Sequence, residues 1–345
     1  MSGYSRPPLA LRLGILAAIL LLLLGLPLAA LLWMTAVPGS SWQGPLPPAT
    51  AMETALAARL ERHVRAVASE PHNVDHPEAL ARSAAWIEGN LKALGYPVTR
   101  QQVDEVNGVP VANLEAVVPA ADPKSATLVV GAHYDSAGDA PGANDNGTGV
   151  AALLEIARAL APLRGREGVR LRLVFFVNEE PPFFKTGRMG SLVYARRLHA
   201  SGERVEAMLS LETLGFYSDA PGSQHYPAPL GMLYPATGDF VAFVGTVGAR
   251  PLVRRAVATF RAQTRFPSAG GTAPAFVSGI DWSDHWAFGE QGVSALMVTD
   301  TAPFRYPYYH SAQDTPDKVD YPRLARVTAG LARLLVSWAT LAPHR

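Results

Sequence analysis

The stretch Thr127-Leu-Val-Val-Gly-Ala-His133-Tyr-Asp135-Ser136 decides the fold. An apolar run ends in a histidine and an acid, and Asn144-Asp145-Asn146-Gly147 follows shortly after. A buried strand has no internal use for charge at its end, because unpaired ions are costly to desolvate. The pattern recurs along the chain. The run Leu171 to Val177 is followed by Glu179 and Glu180, the run 207–211 by Glu212, and the run 294–299 by a loop that carries His310. Four strand ends therefore deliver histidine or acid, and in an open α/β sheet the crevice at those ends is where ligands bind.

Helical spacing fills the intervals. Leu56, Leu60, Val64 and Val67 share one face, and so do Leu80, Ala84, Ile87 and Leu91, before the stop Gly95-Tyr96-Pro97. Further helices are expected after Gly147-Thr148-Gly149 and over 190–199, 251–263 and 322–341. Early strands fall near 98–103 and 112–118, and residues 215–248, rich in Gly, Pro and aromatics, read as a strand among irregular connections. Strands alternating with helices predict an α/β fold in three layers, with a mostly parallel central sheet flanked by helices.

Nearly half of the 345 residues are hydrophobic, ample for a large core, and the net charge is +1. That balance does not suggest a nucleic-acid partner, which would need a strong basic patch. With no cysteine in the chain, a metal must be held by histidine and carboxylate.

No charge interrupts residues 13–37, Arg6 and Arg12 precede them, and the next charge is Glu53. The run exceeds the 20 or so residues that cross about 30 Å of hydrocarbon, and it is longer than the core of a cleaved signal peptide. It predicts an uncleaved transmembrane anchor, with residues 1–12 cytoplasmic by the positive-inside bias. A flexible proline-rich linker at 38–52 and one domain at 53–345 would follow outside the cell (inner) membrane, on its periplasmic side, in a single-pass arrangement.

Each chemical piece has an ordinary alternative. Asp145 suits a turn and helix cap, paired glutamates suit a solvated surface, and Tyr309 suits packing against its loop. Their joint placement at strand ends is what chance does not explain. Gly-Ala-His133-Tyr-Asp135, Gly142-Ala-Asn-Asp145-Asn-Gly-Thr-Gly, Asn178-Glu179-Glu180, Met189-Gly-Ser191, Ser283-Asp284-His285 and Tyr308-Tyr309-His310-Ser311 together closely resemble the M28 family of zinc aminopeptidases, of the zinc-exopeptidase fold. The resemblance implies two Zn2+ ions bridged by Asp145, one completed by His133 and Glu212 and the other by Glu180 and His310. It also implies Glu179 as general base, Asp135 as the partner that orients His133, and Tyr309 against the oxyanion. Many relatives carry aspartate where this chain has Glu212. Cobalt or manganese would suit the same donors. Asp284 and His285 read as pocket-lining or supporting residues, and the insert 181–188 either borders the pocket or packs. The implied activity is hydrolysis of N-terminal peptide bonds on a peptide substrate. A glutaminyl-peptide cyclotransferase, a carboxypeptidase and a non-catalytic binding ectodomain are the alternatives.

Overall fold

The computed structural model describes residues 8–106, 108–122, 124–166 and 168–340. Residues 1–7, assigned above to the cytoplasmic end, and 341–345, which include the last residue expected in the final helix and the end expected for the domain, lie outside the described residues. The chain divides into two compact units, 1–36 and 37–345.

In the first unit, α1 (Leu9–Leu20) and α2 (Leu26–Thr35) join through a π-helical turn, Leu21–Gly25, into one 27-residue helix with none of its residues buried. At 1.5 Å per residue it is about 40 Å long, sufficient for a bilayer's hydrocarbon.

The second unit is built on eight strands in the order β1-β2-β4-β3-β5-β8-β6-β7. The central four, β4 (Arg170–Phe176), β3 (Thr127–His133), β5 (Val205–Glu212) and β8 (Ala295–Thr299), run parallel. On one side the hairpin β1 (Val98–Val106) and β2 (Val109–Val118) adds antiparallel to β4. On the other, β6 (Val241–Thr246) lies antiparallel to β8 and parallel to β7 (Ser268–Ala273).

Alternation along the central strands feeds two cores. Leu128, Val130, Leu171, Leu173, Leu209 and Leu211 point to a large core under α3 (Ala51–Val67), α4 (Pro77–Ala93), α5 (Thr148–Leu160), α7 (Arg250–Gln263) and α9 (Tyr321–Thr340). Val129, Val174, Phe176 and Met208 point to a smaller core under α6 (Gly190–Ala200) and α8 (His285–Gly289). Every residue of β3 is buried. Gly131 has no alternative there, because a Cβ would lie 2.2 Å from the Phe176 ring. The three-layer, mostly parallel sheet expected from the sequence is present. Its distal strand β7, Ser-Ala-Gly-Gly-Thr-Ala, was not expected, because small residues carry little strand signal.

Residues 37–50 are not a free linker. The Arg261 guanidinium donates to the carbonyls of Pro38 and Gly39 at 2.9 and 2.6 Å, and the Ser268 amide donates to Ser41 Oγ at 2.8 Å. Arg326 donates to the Pro47 carbonyl, and Val37 and Leu46 pack against the large core. Proline-rich composition signals extension but says nothing of the acceptors its carbonyls supply. The segment ends in a capping box, in which Thr50 Oγ1 accepts from the Glu53 amide and Glu53 accepts from the Thr50 amide.

Glu155 ties α5 to α3. One carboxylate oxygen accepts from Arg59 Nε at 2.8 Å, and the other lies 3.2 Å from His63 Nε2. Burial raises its carboxyl, but His63 and Arg59 outweigh that and bring it down to about 2. The folded value lies below the ordinary 4.5, so the stabilisation is complete above that pH and is lost as pH falls from about 4.5 to about 2. Glu155→Gln is expected to lose up to about 3 kcal/mol at pH 7 and to flatten the stability profile across that acid window. Urea unfolding at stepped pH would check it, and an unchanged slope would refute it.

Candidate metal centre

The carboxyl ends of the four parallel strands meet at one edge. His133 is the last residue of β3, level with Phe176 of β4, and Glu212 is the last of β5, level with Thr299 of β8. Beyond β4, Asn178 turns the chain through a left-handed conformation, φ 59°, and presents Glu179 and Glu180. His310, φ 53°, does the same in the loop after β8. Non-glycine residues seldom adopt such angles, and they cluster where surrounding structure enforces them.

The five residues expected as ligands come together. Asp145 presents one oxygen to each histidine: Oδ1 lies 3.3 Å from His133 Nε2, and Oδ2 lies 3.1 Å from His310 Nε2. Glu212 Oε2 is 3.3 Å from His133 Nε2, and Glu180 Oε2 is 3.2 Å from His310 Nε2. Three three-residue groups have their donor atoms within 4.8 Å of one another: His133 with Asp145 and Glu212, His310 with Asp145 and Glu180, and His133 with Glu179 and Glu180. Glu179 Oε2 lies 3.8 Å from His133 Nε2.

These acids are buried almost completely. Burial pushes the Glu180 and Glu212 carboxyls up to about 7, with the Asp145 charge adding to it, and burial likewise raises Glu179. Glu180 Oε1 is buried with no hydrogen-bond partner. Four crowded carboxylates facing two imidazoles are expensive to desolvate unless a cation joins them. Imidazole and carboxylate donors in this number fit divalent metal ions.

Asp135 touches both His133 and the two glutamates. Its carboxylate accepts from the amides of Glu179 and Glu180, each at 3.1 Å, and so fixes the backbone of both acids. His133 Nδ1 faces the carbonyl of Asp135 at 3.1 Å, while the carboxylate stays 3.7 Å away. An imidazole held through Nδ1 leaves Nε2 free for a metal.

Of the remaining supports, Asp314 belongs to the string Asp314-Thr315-Pro316 that follows the His310 motif, while Asp300 was not singled out from the sequence. Asp314 accepts from the amides of Asn144 and Asp145 at 2.8 and 3.1 Å and from Tyr306 at 2.7 Å. Asp300, the residue after β8, accepts from Asn144 Nδ2 at 3.0 Å. Asp300 also stands at a strand end, the signal that marked the other acids. Asp284 is buried with both oxygens unpaired, beside Glu179, and His285 hydrogen-bonds the Ile280 carbonyl. Tyr309 stacks on His310, ring centres 3.9 Å apart. In the insert, Phe183 and Phe184 pack into the two cores.

The sequence profile of peptidase family M28 matches residues 113–335, well over half of the chain. The chain belongs to peptidase family M28. This M28 peptidase, a hydrolase of peptide bonds, is 39% identical to the uncharacterized protein YfbL of Escherichia coli over 80% of this chain and 87% of that one. A protein of Arthroderma otae described as a probable leucine aminopeptidase is 26% identical over 62% of this chain, which spans only 54% of that relative. Among solved structures, the LapA aminopeptidase of Legionella pneumophila aligns with a TM-score of 0.62 at 15% identity, covering 88% of this chain and 78% of that one. That likeness establishes a shared fold for the M28 peptidase.

Proposed function

We propose that the protein is a membrane-anchored, extracytoplasmic aminopeptidase that takes two zinc ions and removes apolar N-terminal residues from peptides. One observation carries the choice of substrate end. An apolar cavity of about 110 Å³ is lined by Glu212 and Tyr309 together with residues such as Val244, Val277, Ile280, Met297 and Phe304. No lysine, arginine or histidine is among the described residues that line it, and Glu212 is its single carboxylate. A carboxypeptidase needs a cation there for the terminal carboxylate of its substrate. A glutaminyl cyclase would have to bury a carboxamide against apolar walls, at a cost. A free amino terminus at that end of the metal centre, with an apolar side chain in the cavity, meets neither cost.

His133, Glu212 and Asp145 Oδ1 would hold one ion, and His310, Glu180 and Asp145 Oδ2 the other. Bound there, zinc acidifies water and polarises the scissile carbonyl. Glu179 takes the proton of the attacking water as its oxygen joins the carbonyl carbon. It then passes that proton to the amine nitrogen as the C–N bond breaks. Asp135 keeps Glu179 in place through its amide. Tyr309, which lines the cavity, donates its hydroxyl to the oxyanion. The apolar helix Leu9–Thr35 supports the anchor at residues 13–37, with the catalytic domain from residue 53 on the periplasmic side.

The test is a panel of aminoacyl-p-nitroanilides offered to the full-length protein. Release from leucine, methionine and phenylalanine substrates, with none from N-acetyl-leucine p-nitroanilide, is the expected result. Shortening of N-blocked peptides from the carboxyl end, or cyclisation of N-terminal glutamine, would overturn the proposal.

A further inference from the structure

A second cavity, of about 520 Å³, shares no lining residue with the metal centre or with the apolar cavity beside it. Its walls come from the strapped segment 42–50, the first turn of α3, the end of α7 with the loop 264–266, and α9, and they include Arg261, Arg265, Arg326 and Arg333 against a single acid, Glu53. In a chain whose net charge is +1, four guanidiniums facing one carboxylate are a local concentration that proximity alone makes unfavourable.

Their partners do not relieve it. Arg261 spends its donors on the carbonyls of Pro38, Gly39 and Ser268 and on Ser268 Oγ, and burial holds it below the ordinary guanidinium value. Arg326 donates to the Pro47 carbonyl and stands 3.8 Å from Glu53. Arg333 donates Nε to the Gln263 carbonyl at 3.0 Å, which leaves its terminal nitrogens without an acceptor among the described residues. Arg265 makes no ion pair among them and lies over the Trp42 ring, 5.6 Å from its centre. Guanidinium forks on different elements, with an indole face beside them, match a tetrahedral oxyanion with a carbon substituent.

We propose that this cavity binds a phosphate ester or phosphate ion through Arg265 and Arg333, with Arg261 and Arg326 holding its frame. Two sources share that chemistry, an anionic phospholipid headgroup and a soluble phosphate. Trp42 follows the end of the apolar helix at Thr35 by seven residues of chain, so a lipid headgroup is a source to test if that helix is the anchor proposed above. The binding itself does not depend on the peptidase reading.

The experiment is calorimetric titration of the full-length protein in a neutral maltoside detergent, with inorganic phosphate in one arm and dihexanoyl phosphatidylglycerol in the other. Wild type should bind at least one probe, and Arg265→Gln/Arg333→Gln should weaken it by at least about 10-fold, since a hydrogen bond to a charged group contributes about 1.5–3 kcal/mol. Both arginines are exposed, so the variant should keep the wild-type melting temperature and the wild-type hydrolytic rate. Binding of the lipid alone assigns the site to a headgroup, and comparable binding of both assigns it to soluble phosphate. No binding of either probe at millimolar concentration, or equal binding by the variant, overturns the proposal.

Discussion

Glu179→Gln is expected to lower kcat by about 10³-fold or more while the metal content stays at the wild-type level. The upper range for a positioned general base is about 10⁴-fold, and here one carboxylate serves both proton transfers. Glutamine has the same shape but cannot accept the proton at neutral pH. Its amide stays hydrogen-bonded to Asp135 Oδ1, since that contact is made by the backbone. Steady-state kinetics alongside elemental analysis would check it. A variant that keeps most of its activity would remove Glu179 from the mechanism. One that loses its metal would make Glu179 a ligand instead of a base.

The second large effect is expected at Asp145. Its two oxygens face His133 and His310 at 3.3 and 3.1 Å, so each half of the centre loses a donor when this one side chain goes. Loss of a mere supporting partner costs about 10–100-fold in metal affinity, and Asp145→Ala should exceed that for both ions together. Binding that favours the native state also raises its stability by mass action. The rise in melting temperature on adding zinc to the metal-free protein should therefore shrink in the variant. An undiminished rise would mean that Asp145 bridges nothing, despite its position.

The architecture was legible where burial is symmetric. Runs such as Leu128–Val130 and Leu173–Phe176 are apolar because both faces are covered, and His133, Glu179 and Glu180 follow at the edge where function sits. The same contrast made His133, Glu179, Glu180 and Glu212 visible. β7 escaped because Gly270 is required by close contacts, with a Cβ there lying 2.5 Å from Val257, and a strand of small residues has no periodic signature. The strapping of residues 37–50 escaped because it depends on the far-off side chains of Arg261 and Arg326 meeting backbone carbonyls. Asp135 stood out in the sequence, yet what its carboxylate binds could be settled only by the turn at Asn178. That turn brings two backbone amides to it.

The most direct test of the account is the zinc content of the full-length protein, equilibrated with micromolar zinc and freed of excess, measured by elemental analysis against protein concentration. Two half-sites joined through Asp145 predict about two zinc ions per chain, with hydrolysis lost on chelation and restored by zinc. A plateau at one ion, or none, would contradict the shared centre.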